Sequence, residues 1–190
     1  MATANKNLSN YDKDAIPNAK SFRFGIVVSD WNDKITEGLY FGAETALLDC
    51  NAKPENIIRW NVPGSFELVY GAKKMIETQK VDVVIVIGCV IKGETMHFEF
   101  VCEGVTQGIK DLNVKFDVPV IFCLLTDNTE QQSLDRSGGI HGNKGTEAAI
   151  AAIKMAYLRQ QASLKHQFDT QQLLTEGQLQ IEGVPLKLEE

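Results

Sequence analysis

Cysteine is sparse in this sequence. The four residues, Cys50, Cys89, Cys102 and Cys123, are far apart and form no C-x-x-C pair. That spacing argues against a zinc ribbon, and no histidine stands at finger spacing beside them. Most of them fall in apolar, periodic stretches and read as small core residues. Positive charge is also short: 19 Lys+Arg face 25 Asp+Glu, a net charge of −6, with no basic run. Such a chain lacks the field that draws nucleic acid or anionic membrane, so neither is expected as a partner. An anionic ligand must then be held by a local site. No apolar run is long enough to span a bilayer, since the longest, residues 81–91, carries Asp82. The first twenty residues lack the apolar core of a signal peptide. These features point to a reduced, cytoplasmic protein.

What is present is an ordinary globular balance, 44% hydrophobic and 23% charged over 190 residues. The length fits one domain with something left over. Residues 1–20 are polar and unperiodic, an N-terminal arm. From there strand and helix signals alternate. Phe24-Gly-Ile-Val-Val28 is a short β-branched run, followed by Leu39, Ala43, Ala46, Leu47 and Cys50 at helical offsets. Ile57 to Val62 reads as a second strand, stopped by Pro63-Gly64, with Ser65 placed to cap a helix carrying Leu68, Ala72, Met75 and Ile76 inward. Val83-Val-Ile-Val-Ile87 is a continuous apolar strand, the kind buried on both faces of a parallel sheet. Val101, Val105, Ile109 and Leu112 mark a third helix.

A fourth strand follows in residues 118–125, with Pro119 at its start. Asn128-Thr-Glu-Gln131 has the form of a loosened capping box. Thr146 then opens a helix with Ile150, Ile153 and Tyr157 on one face. Parallel neighbours need right-handed helical crossovers, so the expected fold is a single-domain, three-layer α/β sandwich. It has a four-stranded parallel sheet of doubly wound type, with helices on both faces. The domain is placed at residues 21–159. Residues 160–190 are read as a helix end and a flexible or partner-docked tail that includes Gly183-Val-Pro-Leu-Lys-Leu188.

Ligands of open α/β sheets bind outside the carboxyl ends of the strands. Unusual residues gather in the loops expected there: Trp31 among polar neighbours, Phe66 and Glu67 at a helix start, and His97 at the foot of another. In Lys92-Gly-Glu-Thr-Met-His97, Gly93 lets the backbone approach a ligand and the following helix start favours an anion. His97 can exchange protons near neutral pH beside it. A plain glycine turn with a helix-start histidine explains that segment alone equally well. Arg136 and Lys144 flank a glycine-rich link that either clamps a phosphate or is a solvated turn between helices. Taken singly, Trp31 and Phe66 fit core aromatics. Both follow strand ends, however, where a flat heterocycle would stack. Glu67 is either a carboxylate at a helix start or an acceptor for ligand hydroxyls.

Four ordered motifs, Val62-Pro-Gly-Ser-Phe-Glu67, Gly88-x-Val-Ile-Lys-Gly-Glu-Thr-x-His97, Val118-Pro-Val-Ile-Phe122 and Arg136-Ser-Gly with Gly142-Asn-Lys-Gly145, resemble the 6,7-dimethyl-8-ribityllumazine synthase family over residues 22–159. The resemblance implies a flavodoxin-like fold. The implied reaction condenses 5-amino-6-(D-ribitylamino)uracil with 3,4-dihydroxy-2-butanone 4-phosphate in riboflavin biosynthesis, without metal or organic cofactor.

Carried over by position, the resemblance makes Trp31 a stacking partner of the pyrimidine. Ser65, Phe66 and Glu67, with the backbone of Cys89, Val90 and Ile91, bind the ribityl chain and ring edge. Gly93, Glu94 and Thr95 meet the phosphate, and His97 is the proton shuttle. Phe122, Arg136 and Lys144 come from an adjacent subunit, with Arg136 on the phosphate. The implied assembly is a homo-oligomer of pentamers with shared active sites, and the compact link from Arg136 to Lys144 resembles that of members forming icosahedral shells. Riboflavin synthase is a candidate partner. The competing readings are a flavin-binding module and a shell-forming scaffold without turnover, although Ser29-Asp-Trp-Asn32 lacks the Ser/Thr/Gly-rich phosphate loop of the former.

Overall fold

The computed structural model of the chain describes residues 7–182. Two compact units are present, Met1–Tyr157 and Leu158–Glu190. The first holds four parallel strands, β1 (Phe24–Ser29), β2 (Ile57–Val62), β3 (Val83–Ile91) and β4 (Val120–Asp127), in the order β2-β1-β3-β4. The crossovers contain α1 (Asp33–Asp49), α2 (Leu68–Gln79) and α3 (His97–Lys115). After β4 come α4 (Glu130–Arg136), a small antiparallel pair of β5 (Ser137–Gly139) and β6 (Gly142–Asn143), and α5 (Lys144–Glu182). The doubly wound α/β fold read from the alternation is the one observed.

Strand alternation sorts the core into two layers. Phe24, Ile26 and Val28 of β1 and Val83, Ile85, Ile87 and Cys89 of β3 face one way. They pack with Leu39, Ala43 and Leu47 of α1 and Ala149, Ala152 and Ile153 of α5. Val27, Val84 and Val86 face the other way, against Leu68, Ala72 and Met75 of α2 and Val105, Ile109 and Leu112 of α3. β3 is buried on both faces because it is central, which is why it reads as an unbroken apolar run.

The boundaries differ where tertiary contacts intervene. β3 continues past Gly88 to Ile91 because β4 pairs with it residue by residue as far as Ile91 with Asp127. Ser65 is not the cap of α2: Glu67 occupies that position and makes no side-chain cap hydrogen bond, while Ser65 is buried. The box at α4 is shifted by one residue. Thr129 caps by accepting from the Gln132 N–H, and the Gln132 side chain accepts from Asn128 N–H. Ile76 is only partly buried, and Tyr157 is exposed although Ile150 and Ile153 of its helix are not.

Two further segments carry more structure than their composition announced. The glycine-rich link is the β5–β6 pair, secured by Asn143, whose Nδ2 donates to Gly38 O at 2.8 Å and Ser137 O at 3.2 Å. Asn143 Oδ1 accepts from Gly145 N–H at 2.8 Å. In the arm, Tyr11 and Ile16 pack against the core, and Tyr11 and Lys13 both donate to Asp49. Within the second unit the helix continues to Glu182, as a run of helix-favouring Gln, Leu and Glu allows. The expected tail segment Gly183-Val-Pro-Leu-Lys-Leu188 lies outside the described residues, as do residues 1–6 of the arm.

Candidate active site

The loops after β1, β2 and β3 enclose an open cleft of about 760 Å³. It lies where the strand order reverses, because β1 pairs with β2 on one side and β3 on the other, the usual ligand site of such sheets. Its volume falls in the range of small-molecule sites. Of the residues singled out from the sequence, Trp31, Ser65, Phe66, Glu67, Cys89, Val90, Ile91, Gly93, Thr95 and His97 line it.

Each is placed by a local cause. Trp31 follows β1, and 70% of its surface is exposed, so it is not a core aromatic. Phe66 is 59% exposed and lies across α3 at Gly104, where a Cβ would stand 2.9 Å from its ring. Two large apolar rings left open beside a cleft present stacking surface at little further desolvation cost. Ser65 sits deeper, over Gly88, where a Cβ would come within 2.8 Å of its Oγ. That Oγ is buried and has no hydrogen-bond partner, an unusual state for a hydroxyl, although Ser65 is a residue of the cleft wall. His97 is the first residue of α3, exposed, with its backbone N–H donated to Thr95 Oγ1 at 3.4 Å. Gly93 faces open space, leaving room for a ligand at the helix start.

Burial is the main cause that pushes the Cys89 thiol up to about 11, so it is neutral near pH 7 and unsuited to nucleophilic work. Its sulfur donates to Ser133 Oγ at 3.3 Å. The chemistry available to the cleft is therefore stacking, hydroxyl recognition, anion binding at the α3 start and proton exchange at His97.

Glu94 is exposed and does not line the cleft. Phe122, Arg136 and Lys144 also lie outside it. Phe122 is exposed on the edge strand β4, Arg136 ends α4, and Lys144 begins α5 within 2.7 Å of Glu147. These three are the residues that the resemblance assigned to a neighbouring subunit. Sequence reasoning missed Asn32, Gly64, Phe98, Phe100 and Val101, which complete the lining. Asn32 has φ of 60°, the left-handed conformation that asparagine tolerates, and its Nδ2 donates to Cys89 O at 3.0 Å, tying the first loop to β3. The signal available for Phe98 and Phe100 was their position beside His97 in the first turn of α3.

The family model for 6,7-dimethyl-8-ribityllumazine synthase matches residues 21–160. Curated relatives bear the same description. A protein of Flavobacterium psychrophilum is 80% identical over 191 aligned positions, covering all of both chains. One of Flavobacterium johnsoniae is 75% identical over 189 positions, covering all of this chain and 99% of the relative. A third, of Christiangramia forsetii, is 66% identical over 163 positions, covering 85% of this chain and 97% of its own. With a cleft at the strand ends and a match across most of its length, this chain belongs to the 6,7-dimethyl-8-ribityllumazine synthase family.

Proposed function

We propose that the chain makes 6,7-dimethyl-8-ribityllumazine by condensing 5-amino-6-(D-ribitylamino)uracil with 3,4-dihydroxy-2-butanone 4-phosphate, in a site shared between adjacent subunits of a homo-oligomer built from pentamers. The division of the site residues carries this reading. One chain's cleft holds Trp31, Ser65, Phe66, Glu67, Cys89, Val90, Ile91, Gly93, Thr95 and His97, while Phe122, Arg136 and Lys144 stand apart from it. Each chain then supplies two half-sites, one facing each neighbour.

In that site the pyrimidine lies between Trp31 and the partner subunit's Phe122, with Ser65, Phe66 and Glu67 on the ribityl chain and ring edge. The phosphate sits at the α3 start, near Gly93, Glu94 and Thr95, and meets Arg136 of the partner subunit, with Lys144 of the partner subunit nearby. The ring amine attacks the ketone to form a Schiff base, phosphate leaves by elimination, and tautomerisation, ring closure and dehydration give the lumazine. Holding two reactants in register supplies much of the rate, since oriented binding is worth up to about 7–11 kcal/mol. His97 moves the protons.

The described residues include no helix long and apolar enough to cross a membrane. A cytoplasmic location and hand-over of product to riboflavin synthase accord with the reduced cysteines and with the chemistry.

The test mixes dissociated His97→Ala and Arg136→Ala subunits and follows absorbance at the lumazine band with both substrates present. Each variant alone is slow. Random reassembly at equal amounts restores about a quarter of the sites, because a heterologous interface then pairs an intact His97 with an intact Arg136 half the time from each side. No recovery from correctly assembled mixtures would show that the two residues act within one chain. No turnover by the assembled wild-type chain would favour a flavin-binding or scaffold role instead.

A further inference from the structure

β4 ends in an acidic residue, Asp127, directly opposite Ile91 of the cleft wall. Its backbone already serves the cleft, since Asp127 O accepts from Lys92 N–H at 2.9 Å, where the Lys92–His97 loop begins. Its side chain is only 13% exposed, so its charge needs partners. Oδ2 accepts from Ser133 Oγ–H at 2.8 Å, and Ser133, fully buried on α4, accepts in turn from the Cys89 thiol of the cleft wall. Oδ1 faces Arg136 Nε at 4.0 Å, an ion-pair distance.

The same guanidinium is held a second time, by Nη1 donating to Gln132 O at 2.9 Å. These contacts occupy Nε and Nη1 on the two edges of the planar fork and leave Nη2, for which the described residues supply no partner, to an anion. One carboxylate is thus linked by hydrogen bonds, through Ser133, to the wall of its own chain's cleft and, as an ion pair, to the arginine that stands outside that cleft.

We infer that Asp127, with Ser133, is a positioning residue for Arg136: it aims the guanidinium at the phosphate of the neighbouring site and joins that arginine to the cleft wall of its own chain. This rests on the reading above that Arg136 meets the phosphate.

The experiment measures steady-state kinetics with each substrate varied separately, for wild type, Arg136→Ala, Asp127→Asn, Ser133→Ala and the Asp127→Asn/Arg136→Ala double variant. Asp127→Asn retains the shape and an acceptor for Ser133 and removes the charge. It should raise KM for the butanone phosphate roughly three- to tenfold, as coupling within one network allows. KM for the pyrimidine should stay unchanged. In the Arg136→Ala background the same change should add nothing. Ser133→Ala should shift the same KM in the same direction, and it decides the matter if Asp127→Asn fails to assemble.

Equal rises in both KM values, or an Asp127→Asn effect that multiplies that of Arg136→Ala, would overturn the inference, since a general loosening of the sheet end does both. An Arg136→Ala variant with unaltered KM for the butanone phosphate would instead overturn the reading beneath it.

Discussion

Replacing Ser65 by alanine should move stability and substrate binding in opposite directions. The residue is 6% exposed, and its Oγ has no hydrogen-bond partner in the folded chain. A buried hydroxyl in that condition costs about 1–3 kcal/mol relative to water, by mutational measure. Alanine removes the penalty and keeps the shape apart from one oxygen. Weaker dispersion attraction beside Gly88 offsets part of the gain. The net expectation is a substrate-free protein about 1 kcal/mol more stable, a rise of roughly 2–4 °C in Tm for a chain of this size.

Ser65 is a residue of the cleft wall, and rotation about its χ1 would bring the buried hydroxyl to a ribityl hydroxyl that completes its hydrogen bond. Losing a bond worth about 0.5–1.5 kcal/mol raises KM for the pyrimidine roughly two- to tenfold. KM for the butanone phosphate should be unaffected. Thermal unfolding without substrate and initial rates at varied pyrimidine give both numbers on one preparation. A Tm lowered by several degrees with an unchanged KM would refute the reasoning, because it would mean that the hydroxyl is satisfied by the protein itself.

His97→Ala should slow product formation by about 100- to 10,000-fold without abolishing it, since proton transfer is lost and the positioning of two reactants remains; complete loss in an assembled variant would contradict that division. Asn143→Ala should lower stability by about 2–3 kcal/mol, read as a shift in urea midpoint, because Gly38 O, Ser137 O and Gly145 N–H lose their side-chain partner at Asn143, which is itself buried. Burial pushes the Cys89 and Cys123 thiols up to about 11 and about 12. At pH 8, iodoacetamide should therefore spare both in the folded protein and reach the half-buried Cys102 first, as peptide mass spectrometry would show.

Much of this protein is local in origin and can be read from residue order. Strands β1 to β4 and the inward faces of α1, α2 and α3 follow from apolar periodicity, which depends only on backbone geometry. Trp31, Phe66, Glu67 and His97 were legible because each stands just past a strand end, and the sheet topology implied by the alternation brings those ends together. What sequence could not supply was contact between distant segments. Ser65 looked like a cap, yet it is drawn under the sheet end over Gly88 and lines the cleft instead. The cap of α4 fell one residue later, at Thr129, where the backbone geometry lets the hydroxyl reach Gln132 N–H. Asn32 and Phe100 became cleft residues through β1, β3 and α3 meeting at one edge.

The residue order by itself determined the parallel α/β alternation, the family and the loops that carry the chemistry, because period, turn residues and motif spacing are properties of neighbouring positions. The tertiary structure alone decided that Ser65 is unpartnered, that Glu94, Phe122, Arg136 and Lys144 stand outside the cleft formed by the other site residues, and that Cys89, Ser133, Asp127 and Arg136 form one connected series of side chains. Those depend on how β3, β4 and α4 pack, and packing joins residues whose separation in sequence carries no periodic signal.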